Sequence, residues 1–193
     1  MARGPRLIGR RQASNRPTDG PQLDVRILRS NKVFKTTAGG KTASWSILVV
    51  VGDNKGSVGV GQGKALNIPD AIRKAEEAAR KNMFKMEMIG DTIPHAIRAK
   101  HGSATVILKP ASPGTGVKAG SAVRMCLEAA GVHNVLAKCL GSRNSTNLAY
   151  ATVKAFKELQ SPEQIARIRG KEVNELVPWL AKARKEEAES GHA

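Results

Sequence analysis

Residues 46–65 read Ser-Ile-Leu-Val-Val-Val-Gly-Asp-Asn-Lys-Gly-Ser-Val-Gly-Val-Gly-Gln-Gly-Lys-Ala, and the fold class follows from them. Ile47–Val51 is an unbroken apolar run, mostly β-branched, which suits a strand. Gly52–Asp53–Asn54–Lys55–Gly56 supplies turn chemistry, and Ser57–Val60 resumes the strand pattern. Strands this close in sequence pair antiparallel through a tight turn. Upstream, Asp24–Arg29 alternates weakly and adds a strand, so residues 23–64 predict a three-stranded antiparallel meander.

A helix is predicted next, over residues 69–88. Pro69 fits a first turn, and Asp70 suits the positive end of a helix. At helical spacing Ala71, Ile72, Ala75, Ala78, Ala79, Met83 and Met86 share one face. Arg73, Lys74, Arg80 and Lys81 fall on the opposite one, a stripe suited to phosphate contact. Strand–strand–strand–helix is most of a double-stranded-RNA-binding module; the helix that usually precedes it is not evident in residues 1–22.

Gly90–Thr92 marks a domain boundary. Beyond it Ala96–Lys100 and Ala104–Lys109 flank the turn His101–Gly102–Ser103, giving a hairpin. A glycine-rich loop, Pro113–Gly120, leads into a helix over Ala122–Ala130, with Ser121 as its expected N-cap and Gly131 closing it. Val132–Leu140 reads as a strand. Ser145 is the expected cap of a further helix carrying Leu148, Thr152, Ala155, Phe156 and Leu159 on one face. Ser161–Gln164 has capping-box form, predicting a short helix to Arg169, and residues 171–180 suggest another helical segment. The class is thus α+β. Residues 1–22 form a disordered basic arm, 23–90 a double-stranded-RNA-binding-like domain of three strands and a helix, 91–180 an α+β domain with its sheet packed on helices, and 181–193 a charged tail.

The totals select the partner. The 193 residues carry 32 Lys and Arg against 16 Asp and Glu, a net charge of +16. Such an excess repels itself, and a polyanion relieves it. No apolar run approaches the roughly 18 residues a membrane span requires, so no membrane partner is expected. Cys126 and Cys139 are too few and too distant for a zinc site; they read as buried, reduced thiols of a cytoplasmic protein.

Enzymatic chemistry finds little support. Gly59–Val60–Gly61–Gln62–Gly63–Lys64 lacks dinucleotide-loop spacing, and neither it nor Gly40–Lys41–Thr42 completes a P-loop. The Gly114–Gly120 loop precedes a helix and could meet a phosphate, whether of a nucleotide or of an RNA backbone. The four histidines have no metal spacing, and no carboxylate pair suits acid–base work. No catalytic residue, metal, cofactor or small-molecule substrate is expected. The stretch from Lys32 through Lys35 to Gly39–Gly40–Lys41 reads as a basic loop with a flexible tip, apt for phosphate. With only Phe34 and Trp45 nearby, shape and backbone readout of folded RNA is favoured over base stacking.

Several separated stretches together resemble one family. They are Asn31–Lys32–Val33 with Gly39–Gly40, Val50–Asp53, Val58–Gly61 with Gly63–Ala65, and Ile68–Ile72. Further on come Lys109–Ser112 with Gly114–Gly116, Ala130–Lys138, and Gly141–Ser142 with Asn144 and Asn147. In this order they resemble bacterial small-subunit ribosomal protein number five, over roughly residues 23–176. The resemblance implies a structural, non-enzymatic constituent of the small ribosomal subunit that binds its rRNA. It also implies roles in assembly, decoding accuracy and the mRNA entrance channel, beside ribosomal proteins number four and number eight. With the residue reading, it marks Arg29, Lys32, Lys35, Gly39, Gly40, Lys41, Lys55, Lys64, Arg73, Lys74, His133, Asn134, Lys138, Ser142 and Asn144 for RNA. Gly114, Thr115, Gly116, Gly120 and Arg124 would face protein number four. The tip Ala38–Gly39–Gly40–Lys41–Thr42–Ala43 departs from the family's usual Lys-Gly-Gly-Arg and bulky followers. A nucleotide-using enzyme and a DNA-architectural protein are the competing readings.

Overall fold

The computed structural model describes residues 23–173. The basic arm, the charged tail and nearly all of the segment expected at 171–180 lie outside the described residues. The order is β1 (Asp24–Thr37), β2 (Gly40–Gly52), β3 (Ser57–Ala65), α1 (Ile68–Lys81), β4 (Phe84–Lys85), β5 (Ile97–His101), β6 (Ala104–Pro110), β7 (Val117–Lys118), α2 (Ser121–Ala130), β8 (Val135–Gly141), α3 (Ser145–Glu158) and α4 (Pro162–Arg169). One antiparallel sheet runs β1-β2-β3-β4 and a second runs β5-β6-β8-β7, with β7 parallel to β8. The α+β class stands.

The Ile47–Val51 run is unbroken because β2 is buried on both sides, each residue being 3% exposed or less. Ile47, Val49 and Val51 pack with Ala71, Ala75 and Ala79 of α1. Leu48 and Val50 join Val58, Val60 and, from α2, Val123, Cys126 and Leu127 in the larger core. Each Ile, Leu or Val buried there contributes about 1.5–3 kcal/mol.

The glycines of β3 explain how close α1 lies. A Cβ on Gly59, Gly61 or Gly63 would come within 2.3, 2.2 and 2.2 Å of the carbonyl oxygens of Ala79, Ala75 and Ala71. Two strand residues advance about 6.6 Å and four helix residues about 6 Å, so glycines at every second position meet alanines at every fourth. The motif that resembled a phosphate loop is therefore a packing surface.

Several expectations need correction. The helix predicted over 69–88 ends at Lys81; Phe84–Lys85 pairs with Ser57 and Val58, making the first sheet four-stranded. Met83 and Met86 lie beyond the helix, and the Met86 N–H donates to the Gly56 carbonyl at 2.8 Å, so their helical spacing is coincidental. The basic loop is no loop: β1 and β2 pair continuously to Thr37↔Gly40, leaving Ala38–Gly39 as the connection. Gly120, not Ser121, caps α2, and Asn144, not Ser145, caps α3, its side chain accepting from the Thr146 N–H. The capping box at Ser161 and Gln164 forms as read.

The halves meet through α2. The turn amides of Asn54 and Gly56 donate to the carbonyls of Ala129 and Ala130, at 3.2 and 2.8 Å, satisfying the end of that helix. Only glycine fits at 52, where a Cβ would lie 1.9 Å from the Ala129 oxygen. Glu128 on α2 pairs with Arg26 on β1, which also holds Asp24 at 2.7 Å.

Candidate nucleic-acid interface

The β1–β2 hairpin outruns both helices that cover the base of its sheet. Alternation along paired strands assigns its side chains to two faces. Arg29 pairs with Leu48, Asn31 with Ser46 and Lys35 with Thr42; across β2, Gln62 and Lys64 continue the same face. Gln62 Nε2 donates to Ser46 Oγ at 3.1 Å, and Arg29 Nε to Asn31 Oδ1 at 3.1 Å, which orders the polar groups. The opposite face, on the side of α1, carries Lys32 opposite Trp45, Phe34 opposite Ala43, and Thr36 opposite Lys41. Lys32 Nζ lies 5.4 Å from the Phe34 ring centre and 6.0 Å from that of Trp45. Residues 29–46 contain no acid.

The residues expected to bind RNA thus divide. Arg29, Lys35 and Lys64 share one face; Lys32 and Lys41 share the other, on the side of the exposed Arg73 and Lys74. Gly39 and Gly40 form the open tip, with nothing within 4 Å of an added Cβ. Lys55 is at the far end of the sheet, in the turn against α2. The stripe on α1 is partly neutralised, since Arg80 pairs with Glu76 at 2.6 Å and Arg73 reaches Asp70 at 3.9 Å. Asn31, Ser46 and Gln62 belong to the same face as Arg29 and Lys35; the sequence singled out Asn31 only within the family-like stretch Asn31–Val33, and the register alone places all three on this face.

The second-half residues do not converge. His133 and Asn134 stand before β8, where both amides donate to the Asp91 carbonyl at 3.0 Å. Asn134 is 7% exposed, and its side chain accepts from the Gly116 N–H at 3.1 Å, so it positions the glycine loop. Ser142 and Asn144 lie past the other end of β8, with Ser142 about 26 Å from Asn134 at strand rise. Lys138 is between these ends, on the outer surface of the second sheet.

Gly114, Thr115 and Gly116 form a tight turn in which Gly114 and Gly116 have φ of 83° and 74°. β7 separates this turn from Gly120 and α2, so its amides are not gathered at the helix start, and the Gly116 N–H is already engaged. That geometry disfavours a nucleotide loop. Arg124 extends from α2 and pairs with Glu128 at 3.0 Å.

Other chemistry is equally thin. Both cysteines are free thiols. Complete burial pushes the Cys126 thiol up to about 12, away from nucleophilic reactivity. Burial also raises the Cys139 thiol, against smaller opposing effects of the Gly120 amide, Lys138 and Arg143. Among the described residues, no group of three His, Cys, Asp or Glu could hold a metal, and no helix is long and apolar enough to cross a membrane.

The described residues thus form a two-part α+β protein: a four-stranded sheet on a helix, extended by a basic hairpin without acids and joined to a second α+β unit. Residues 23–87 match the family described as ribosomal protein S5, N-terminal domain, and residues 99–169 that described as ribosomal protein S5, C-terminal domain. Among similar proteins is a small ribosomal subunit protein uS5 of Azotobacter vinelandii, 49% identical over 152 residues, covering 79% of this chain and 92% of the relative. Its namesake in Hahella chejuensis is 47% identical over 164 residues, covering 85% and 98%. A Pseudomonas putida namesake is 51% identical over 151 residues, covering 78% and 91%. The chain belongs to the ribosomal protein S5 family, which is not an enzyme family.

Proposed function

We propose that this chain is a structural constituent of the small ribosomal subunit whose β1–β2 hairpin inserts between segments of rRNA backbone. The observation that carries the reading is cationic side chains on both faces of a hairpin with no acid between Arg29 and Ser46. A single basic face would lie on RNA; two basic faces suit a wedge between phosphate chains. Arg29, Lys35 and Lys64 serve one chain, while Lys32, Lys41, Arg73 and Lys74 serve the other. The glycine tip lets backbone approach phosphate without a Cβ in the way. The scarcity of stacking aromatics favours readout of helical RNA by shape.

The family resemblance supports further roles: assembly of the subunit, decoding accuracy, a place beside the mRNA entrance channel, and contact with proteins number four and number eight. The turn Gly114–Gly116 with Gly120 and Arg124 is the surface proposed for number four.

The test measures binding of the full chain to a duplex rRNA fragment against salt. Replacing Lys35 and Lys64 by Ala, and separately Lys32 and Lys41, should each flatten the salt slope by about 2, because each lysine neutralises one phosphate. Weaker binding to duplex DNA at equal salt is expected, because A-form shape and the 2′-hydroxyl are read. Unchanged slopes for both pairs remove the hairpin from the interface, and equal affinity for DNA favours an architectural role.

A further inference from the structure

Among the described residues, the second sheet is covered on one side only. Ala99, Val106 and Leu108 face inward to the core shared with α2 and α3. Alternation sends their neighbours outward, and the register aligns them. Arg98 pairs with Ile107 and Ile107 with Lys138; Lys100 pairs with Thr105 and Thr105 with Leu140; Lys109 pairs with Leu136 and Leu136 with Lys118. One surface thus holds Arg98, Lys100, Lys109, Lys118 and Lys138, spread over all strands of the sheet and with no acid at any of these paired positions. Among the described residues, none of these cations is in an ion pair.

The middle of that surface is aliphatic. Leu136 and Leu140 are 39% and 40% exposed. Ile107 lies diagonal to both, within reach of side-chain contact. A phosphate chain gains nothing from covering three aliphatic side chains, and no aromatic is present to stack a base. An apolar centre within a charged surround is the anatomy of a protein interface.

We infer that the outer face of the second sheet docks an acidic protein surface. Apolar side chains of the partner cover Ile107, Leu136 and Leu140, and its Asp and Glu residues meet the surrounding cations. This assigns Lys138 to a protein contact, because it stands between the two exposed leucines and apart from the hairpin. At Lys118 the surface adjoins the turn at Gly114–Gly116, but it lies on the sheet face and is independent of the hairpin reading.

A photo-reactive benzoylphenylalanine placed at Leu136 in the full chain, assembled into small subunits, tests the inference. Irradiation should cross-link a protein, and the attached peptide should carry Asp or Glu beside apolar residues. The same probe at Leu140 should reach the same partner. In the Leu136 probe background, Lys118→Glu with Lys138→Glu should lower the yield about tenfold, as like charges meet across the interface. Lys118→Arg with Lys138→Arg should retain it. Cross-links to RNA, to a second copy of this chain or to a peptide without acids overturn the inference, as does the absence of any cross-link at both positions. The readout is a cross-linked peptide, so it succeeds or fails whatever the salt slope of the hairpin variants.

Discussion

The two sheets use similar residues under different cover, and their sequences differ accordingly. β2 is enclosed between α1 and α2 over Ile47–Val51, and its sequence there is continuously apolar. β8 is enclosed on one side, and Val135, Ala137 and Cys139 turn inward while Leu136, Lys138 and Leu140 turn outward. A run means two covered faces and alternation means one, which is the expected consequence of strand geometry. The distal hairpin is the third case, covered on neither face by the described residues and without apolar pattern.

The sharpest break in this comparison comes at β3. Gly61→Val would drive side-chain atoms into the Ala75 carbonyl and the Ala79 amide, where even a Cβ would lie 2.2 and 2.3 Å away. The helix must lift off the sheet, at a cost of about 4 kcal/mol or more. Gly114→Ala meets nothing within 4 Å and carries only the strain of a φ of 83°, about 1 kcal/mol. Urea unfolding monitored by circular dichroism separates the two; equal losses would mean that α1 does not pack as closely as described.

Covered and bare faces are next compared directly. Val49→Ala opens space towards α1 and Val50→Ala towards α2, both side chains being fully buried. Each should cost about 2 kcal/mol in the same unfolding assay. Leu136→Ala, on the outer sheet face, should cost under about 0.5 kcal/mol in the isolated chain. If Val50→Ala were as mild as Leu136→Ala, α2 would not cover the first sheet.

These differences also explain what was legible beforehand. The run at Ile47–Val51 announced a strand, and Pro69 with Asp70 announced α1, because burial and helix ends leave local marks. The length of the hairpin left none: residues 30–45 face solvent on both sides over much of their length, so no period distinguishes strand from loop. Met83 and Met86 extended an apolar period past Asn82 that tertiary packing had satisfied with β4. β7 is two residues inside a glycine loop, below the length at which any pattern forms. The lysines and leucines of the outer second-sheet face come from separate strands, and only the register brings them together. For the same reason His133 and Ser142, both marked for RNA, stand at opposite ends of β8.

A smaller effect probes the seam between the regions. Arg26 and Glu128 join β1 to α2, with each side chain about a third exposed at 33% and 35%. A double-mutant cycle through Arg26→Met and Glu128→Gln should give a coupling of about 0.5–1 kcal/mol, reduced by salt. Zero coupling at low salt would mean that the turn amides and the shared apolar core hold α2 to the first sheet without the ion pair.

The smallest effect concerns Asp53, in the turn that reaches α2. Partial burial alone would raise its carboxyl, but the amides of Lys55 and Ser57, both 2.8 Å from Oδ1, outweigh this and hold it below its ordinary value. A depressed carboxyl stabilises the fold above the unfolded value of about 3.9, and that stabilisation disappears as pH falls through the folded value. Asp53→Asn keeps an acceptor and removes the charge. The parent should therefore exceed this variant in stability by a few tenths of a kcal/mol at pH 7, with the gap closing below about pH 4. Chemical denaturation of both chains at pH 7 and pH 3 reads the gap directly. A gap of equal size at the two pH values would show that turn geometry, and not carboxylate charge, is what Asp53 contributes where the first sheet meets α2.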